Sequence, residues 1–163
     1  TKGEIKSEEI QCIIDHCRHM LSHPVVLFDD VEKVLRNLSS KFRLILVTKG
    51  DLRDQERKIA KSGLAAYFDH AEVVSDKTVE SYARVLERSR VPVKQFVMIG
   101  NSLKSDILPV LNLGGHGIHI PYRITWEHER VESTPHEHGN FYQVESISQL
   151  PDLIDTIAVD SII

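Results

Sequence analysis

From Phe42 onward, short apolar runs alternate with stretches of helical periodicity, and few architectures accommodate that alternation. Phe42–Val47 (FRLILV) is almost continuously apolar between polar flanks, as a strand covered on both faces must be. Ala71–Val74 (AEVV) and Phe96–Ile99 (FVMI) read the same way, and GGHGIHIP gives a glycine turn and a fourth strand. Between them lie a polar helix over Leu52–Ser62 stopping at Gly63, and a helix capped by Thr78 that spaces Val79, Tyr82, Val85 and Leu86 on one face. A further helix runs from Gly100-Asn101-Ser102 through Leu113, interrupted by Pro109, and a last one covers Ile147–Ile157. Upstream, Ile10, Ile13, Ile14, Cys17, Met20 and Leu21 mark an amphipathic helix over residues 4–22. Val31, Val34, Leu35 and Leu38 mark another, with Asp29 or Asp30 as its N-cap. Strand, helix, strand in repetition predicts an α/β fold: a three-layer, Rossmann-like parallel sheet with helices on both faces.

With 163 residues the chain has room for one domain with a real core. A net charge of −4 and the lack of a basic run argue against a nucleic-acid surface. No apolar stretch is long enough to span a membrane, and two cysteines are too few for a disulfide scaffold, so a cytoplasmic setting is expected. Residues 122–140, rich in His, Glu, Pro and Gly, read as a long surface loop, with Trp126 pinned to the surface or closing over a ligand. His16, His19 and His23 share a helix, but no known metal-binding spacing accompanies them.

In parallel sheets, ligands gather at the carboxyl ends of the strands. There the sequence places Thr48-Lys49-Gly50-Asp51, then Ser75-Asp76-Lys77, then Gly100-Asn101-Ser102-Leu103-Lys104-Ser105-Asp106. A hydroxyl and a glycine before a helix N-terminus suit an anion. Lysine, asparagine and aspartate at the same edge suit a phosphate and a hard divalent cation. Each also has a plainer reading. Thr48, Asp51, Asn101 and Ser102 could simply cap helices, Lys77 could be a solvated lysine, and Asp106 a surface carboxylate. The ordered recurrence is the signal.

LILVTKGD, the lysine of VVSDKTVESY, and FVMIGNSLKSDILPVLNLGG, in that order, resemble the second, third and fourth motifs of the haloacid dehalogenase-like hydrolases, in their phosphatase branch. The resemblance runs over about residues 24–157. It implies that Thr48, with Lys49 and Gly50, binds the transferring phosphoryl group, and that Lys77 neutralises charge on that group and on an aspartyl nucleophile. It implies that Asn101, where many members carry Asp, and Asp106 hold Mg²⁺. The activity implied is hydrolysis of a small phosphorylated metabolite through a phosphoaspartyl intermediate.

The family's first motif is an apolar strand ending in Asp-x-Asp. PVVLFDDVE over Pro24–Glu32 is the candidate, yet a helical face begins immediately after Asp30 and only a short helix separates it from the next strand. Asp29-Asp30 therefore reads as a helix start, where an N-cap is expected. The resemblance then implies that the sheet's first, central strand and its nucleophile lie outside this chain. Residues 1–23 would be the remnant of a helical cap and 24–163 the core. The chain alone would be inactive and open to self-association through sheet edges. Two other readings stand beside this one: a non-catalytic α/β module that binds a phosphorylated ligand or partner through Thr48, Lys77 and Asp106, and a metal-free haloacid dehalogenase.

Overall fold

A computed structural model describes residues 6–122, 135 and 137–160. Helix α1 (Ser7–Ser22) leads through an extended segment to α2 (Val31–Ser39). Then follow β1 (Ile45–Lys49), α3 (Leu52–Ser62), β2 (His70–Val74), α4 (Val79–Ser89), β3 (Val97–Gly100), α5 (Leu108–Leu113), β4 (His116–His119), β5 (Phe141–Gln143) and α6 (Leu150–Asp160).

Every strand pair is parallel, as the crossover helices require. The sheet, however, comes in two pieces. β1 pairs with β2, with Thr48 opposite Val73. β3, β4 and β5 form the other piece in that order, with Gly100 opposite His119 and His119 opposite Gln143. β1 and β3 do not pair with each other, and among the described residues no strand pairs with the remaining edge of either.

One apolar cluster spans both pieces. Val47 of β1 and Met98 of β3 join Tyr82, Val85, Leu86, Phe96 and Val110 beneath α4 and α5. A second cluster, on the opposite face, gathers Val34, Leu38, Ile118, Leu150, Ile154 and Ile157 from α2, β4 and α6, with Val97 and Ile99 packed against it. Residues 97, 98 and 99 thus point alternately to the two faces, the period-two signature of a strand covered on both sides. The three-layer α/β expectation holds.

Local chemistry departs from expectation in four places. The first strand begins at Ile45 rather than Phe42, because Phe42 still closes the end of α2 by donating to the Leu38 carbonyl at 2.9 Å. Pro109 does not interrupt a helix. Leu103–Ile107 form a π turn, widened by an Ile107 N–H to Ser102 carbonyl bond of 3.2 Å, and Pro109 falls in the first turn of α5, where its missing donor costs nothing. Phe141–Gln143 pair with β4 as a short strand that no apolar run announced. Residues 123–134 and 136 of the anticipated 122–140 loop, Trp126 included, lie outside the described residues.

The fourth departure is Asp30. It does sit at the N-cap of α2, but with φ 63° and with no hydrogen bond from its side chain. A left-handed backbone costs an ordinary L-residue about 1–2 kcal/mol, less for Asp, so the position is held by the turn and not by capping. Gly63, by contrast, ends α3 at φ 72° as expected, and Thr78 caps α4 through a reciprocal capping box with Ser81. Replacing Asp30 by Gly is expected to leave stability unchanged or raise it by about 0.5 kcal/mol, and Asp30→Ala to lower it by about 1 kcal/mol, in urea titrations of the chain. A loss of more than about 1 kcal/mol in Asp30→Gly would show that the carboxylate caps after all.

Candidate active site

β1 delivers Thr48 and Lys49 to the carboxyl edge of its sheet, and Gly50 then turns the chain at φ 144° into α3. A Cβ on Gly50 would come within 3.1 Å of the Gln55 amide, so glycine lets Gln55 lie over this turn. Asp51 caps α3 by accepting the Asp54 N–H at 3.0 Å. The plainer reading therefore holds for Asp51. It does not hold for Thr48, whose hydroxyl donates to Gln55 Oε1 at 2.8 Å.

β2 ends at Val74, and Asp76 stands between two of the expected cations. It accepts Lys49 Nζ at 2.9 Å and the Lys77 N–H at 3.0 Å. The Lys49 ammonium first, then that backbone N–H, hold the Asp76 carboxyl below the usual carboxylate range.

Lys77 itself reaches across to the other sheet piece, where its Nζ donates to Asp106 Oδ1 at 2.6 Å. The Lys77 side chain is 16% exposed and that of Asp106 5%, so this is a largely desolvated pair, unlike the surface bridges elsewhere on the molecule. The helical stretch after β3 is built to present Asp106. Ser102 caps it through the Ser105 N–H at 3.0 Å, and Asp106 Oδ2 reaches back to accept the Ser102 N–H at 3.0 Å. The wide π turn lets the carboxylate fold over Gly100. A Cβ on Gly100 would lie 2.3 Å from Asp106 Oδ2, so only glycine fits. Tyr82, packed under this turn, donates its hydroxyl to the Ser105 carbonyl at 3.2 Å. Burial, followed by the Asp106 charge, pushes the Tyr82 phenol far above its ordinary range.

Asn101 follows β3 with an exposed side chain. Its carbonyl accepts from His119 Nε2 at 3.1 Å, and His119 Nδ1 faces Gln143 Oε1 at 3.1 Å. One buried imidazole thus ties the ends of β3, β4 and β5 together.

The structure brings Lys77 and Asp106 into contact, links Lys49 to Lys77 through Asp76, and sets Thr48, Gly50 and Asn101 at the same edge by strand position. Gln55, His119, Ser102 and Gly100 complete the arrangement. A sequence reading of strand ends passes over Gln55, because it lies a full turn into α3, and over Gln143, because its strand ends in what looks like ordinary loop; His119 reads only as a partly buried polar residue beside a strand, with no sign of its partners. Gly100 was legible only as part of a motif.

As a divalent-cation site the arrangement fits in part. Among the described residues no group of three or more His, Cys, Asp or Glu side chains converges, and His16, His19 and His23 yield only a stacked His19–His23 pair with ring centroids 4.8 Å apart. Asn101 would offer an amide oxygen. Asp106 would offer the lone pairs left by Lys77 and Ser102, since a carboxylate has about four acceptor sites. A six-coordinate Mg²⁺ needs more oxygens than these two residues supply.

A parallel α/β scaffold collects its ligand-facing residues at the carboxyl ends of its strands, and here these include an acid, a lysine and a hydroxyl. Comparison with known proteins is specific: the sequence profile of the haloacid dehalogenase-like hydrolases matches residues 5–114, and the chain belongs to that family. The N-acylneuraminate-9-phosphatase of Mus musculus is 29% identical over 96% of this chain and 64% of its own length, and the Homo sapiens enzyme matches equally. This chain therefore spans about 64% of the length of these relatives. Among solved structures, a haloacid dehalogenase-like hydrolase of Xanthomonas campestris superposes with a TM-score of 0.82 at 37% identity, over 97% of this chain and 66% of its own. A Bacillus subtilis hydrolase of the same fold, solved bound to magnesium, gives a TM-score of 0.71 at 20% identity, over 92% and 65% of the two chains.

Gly100→Ala is expected to expel Asp106 from its place and break the pair with Lys77, lowering stability by about 3 kcal/mol. Gly139→Ala, whose added Cβ meets nothing within 4 Å among the described residues, serves as the control and costs less than about 0.5 kcal/mol. Equal thermal shifts in the two variants would remove the argument for a Gly100–Asp106 fit.

Proposed function

We propose that this chain supplies the phosphate-handling half of a phosphatase acting on a small phosphorylated metabolite. The observation that carries the reading is the desolvated Lys77–Asp106 pair, at the same strand edge as Thr48 and the Gly50 turn. A lysine held there by a buried carboxylate offers fixed positive charge where phosphoryl transfer needs it, and charge neutralisation is most of what such transfer asks of a protein. Thr48 and the backbone around Lys49 and Gly50 receive the phosphoryl oxygens, and Lys77 offsets their charge. Asn101 and Asp106 would hold Mg²⁺, which when bound would add Lewis-acid stabilisation of those oxygens.

The nucleophile in this reading is an aspartate on a strand lying between β1 and β3, which are end strands of the two sheet pieces and flank such a place. The carboxylates described at the edge are otherwise engaged: Asp51 with α3, Asp76 with Lys49, Asp106 with Lys77. Asp30 lines a cleft of about 480 Å³ with Lys33, Asn37, Ser148 and Asp152, and none of Thr48, Lys77 or Asp106 borders that cleft. Residues 1–23 then belong to a cap and 24–163 to the core. The exposed Ile10, Ile13 and Ile14 of α1 support that division. The same open edges give the isolated chain a route to self-association. Among the described residues no helix is long and apolar enough to cross a membrane, and Cys12 and Cys17 are exposed free thiols, which supports a reducing cytoplasmic setting.

Two other readings keep some support. The engagement of each of these edge carboxylates favours a binding module without turnover, and the incomplete ligand set for a cation favours the metal-free dehalogenase.

The chain as it stands is expected to bind inorganic phosphate but not to hydrolyse p-nitrophenyl phosphate with Mg²⁺ above the rate of buffer. Turnover that disappears in Asp30→Asn would place the nucleophile at Asp30 and overturn this reading. A longer form carrying an Asp-x-Asp strand is expected to turn over and to lose activity in EDTA. Activity on 2-haloacids that survives EDTA would favour the dehalogenase instead.

A further inference from the structure

Thr48 has one hydroxyl proton, and in this structure that proton is spent on Gln55 Oε1 at 2.8 Å. A phosphoryl or sulfate oxygen can only accept, so Thr48 cannot serve it while the hydroxyl points at Gln55. The Gln55 amide decides the matter. Its last torsion is soft and roughly two-fold, so a half-turn exchanges its oxygen for its nitrogen with little change of shape. With Nε2 donating to Thr48 Oγ1, the threonine proton is released toward an anion.

The surroundings set the resting side. Gln55 Nε2 lies 3.5 Å from Asp54 Oδ2, so the carboxylate favours the amide nitrogen on its own side and the oxygen on Thr48. That preference is weak. The contact is long, and Asp54 is already paired with Arg57 at 2.5 Å and Lys58 at 2.8 Å. Space for the turn comes from Gly50, whose missing Cβ is what allows the amide to lie over the loop.

We propose that Gln55 is a positioning residue for anion binding: its amide reverses when a tetrahedral oxyanion arrives, handing the hydroxyl proton of Thr48 to the ligand. The inference rests on the phosphate-site reading above and names a residue which that reading does not include. A side chain at position 55 that can only accept must hold the Thr48 proton away from the anion. One that neither accepts nor donates strongly must leave it free.

The test uses the chain of 163 residues and sulfate, an oxyanion with no proton of its own at neutral pH, titrated by amide chemical shifts at Lys49 and Gly50. Gln55→Glu and Gln55→Met are measured in three backgrounds: native, Thr48→Ser and Thr48→Val. The Glu variant is expected to bind sulfate more weakly than the Met variant in every background, because it adds a negative charge. With a hydroxyl at position 48 the ratio is expected to be roughly tenfold larger than in Thr48→Val, the worth of one proton denied to a charged acceptor. Thr48→Ser is expected to keep the large ratio. A ratio that does not change between native and Thr48→Val leaves only charge repulsion and overturns the inference, while the phosphate site stands if Lys77→Ala still abolishes binding. Sulfate binding that survives Lys77→Ala at full strength, or no binding by the native chain, removes the phosphate-site reading and this inference with it.

Discussion

The Lys77–Asp106 pair is the contact on which the rest of the site depends. It joins the end of β2, in one piece of the sheet, to the π turn after β3, in the other. It is also nearly dry, and a largely desolvated charge is tolerated only when its partner is held in good geometry. Much of the neighbouring sequence serves that condition. Gly100 makes room for the carboxylate, the Ser102 N–H takes its second oxygen, the π turn bends it back, and Tyr82 supports the turn from beneath. Losing either charge would leave the other stranded in a poorly solvated place.

Fold and site were legible to different degrees, and the difference has a physical cause. Apolar runs covered on both faces report parallel strands directly, so the alternation of strand and helix, the order of the motifs and the strand-end residues could all be read from composition along the chain. β5 could not be read that way. Phe141-Tyr142-Gln143 is short, and it exists because Phe141 and Tyr142 find places beside β4, a tertiary event with no local signature. Asp30 shows the reverse error. A carboxylate ahead of a helical face has the local look of a cap, but the turn before α2 puts the residue in a left-handed conformation, from which its side chain makes no capping bond. Asp106 was singled out by its place in the motif, but its burial was not legible: helical position suggests exposure, and only the fold-back over Gly100 buries it.

At the strand ends, side chains to which the sequence assigned no part in the site set the orientation of those that had one. His119 spans from the Asn101 carbonyl to Gln143, so three adjacent strand ends are fixed by one ring. Gln55 holds the Thr48 hydroxyl and fills the space left by Gly50. These second partners follow from the same rule as the Asp106 environment. Buried polar atoms must be matched, and the group that matches a functional atom also aims it.

The two pieces of sheet then carry an argument of their own. Val47 and Met98 sit in one apolar cluster, so β1 and β3 are held together by packing even though no ladder joins them. Parallel strands are ordinarily found inside continuous sheets, because an unsatisfied edge within a covered layer leaves donors and acceptors with nothing to bond. Thr48 closes one side of that interval, and Asn101 with Asp106 closes the other. An extended segment pairing with both edges would satisfy them at once, and its carboxyl end would arrive among the hydroxyl, the lysine and the amide. The charge balance at that point agrees with such an arrival. Lys77 already neutralises Asp106, so a further carboxylate entering there would meet a site whose own acid is spoken for, and a cation would have to complete the balance with it, the more so once an anionic phosphoryl group arrives.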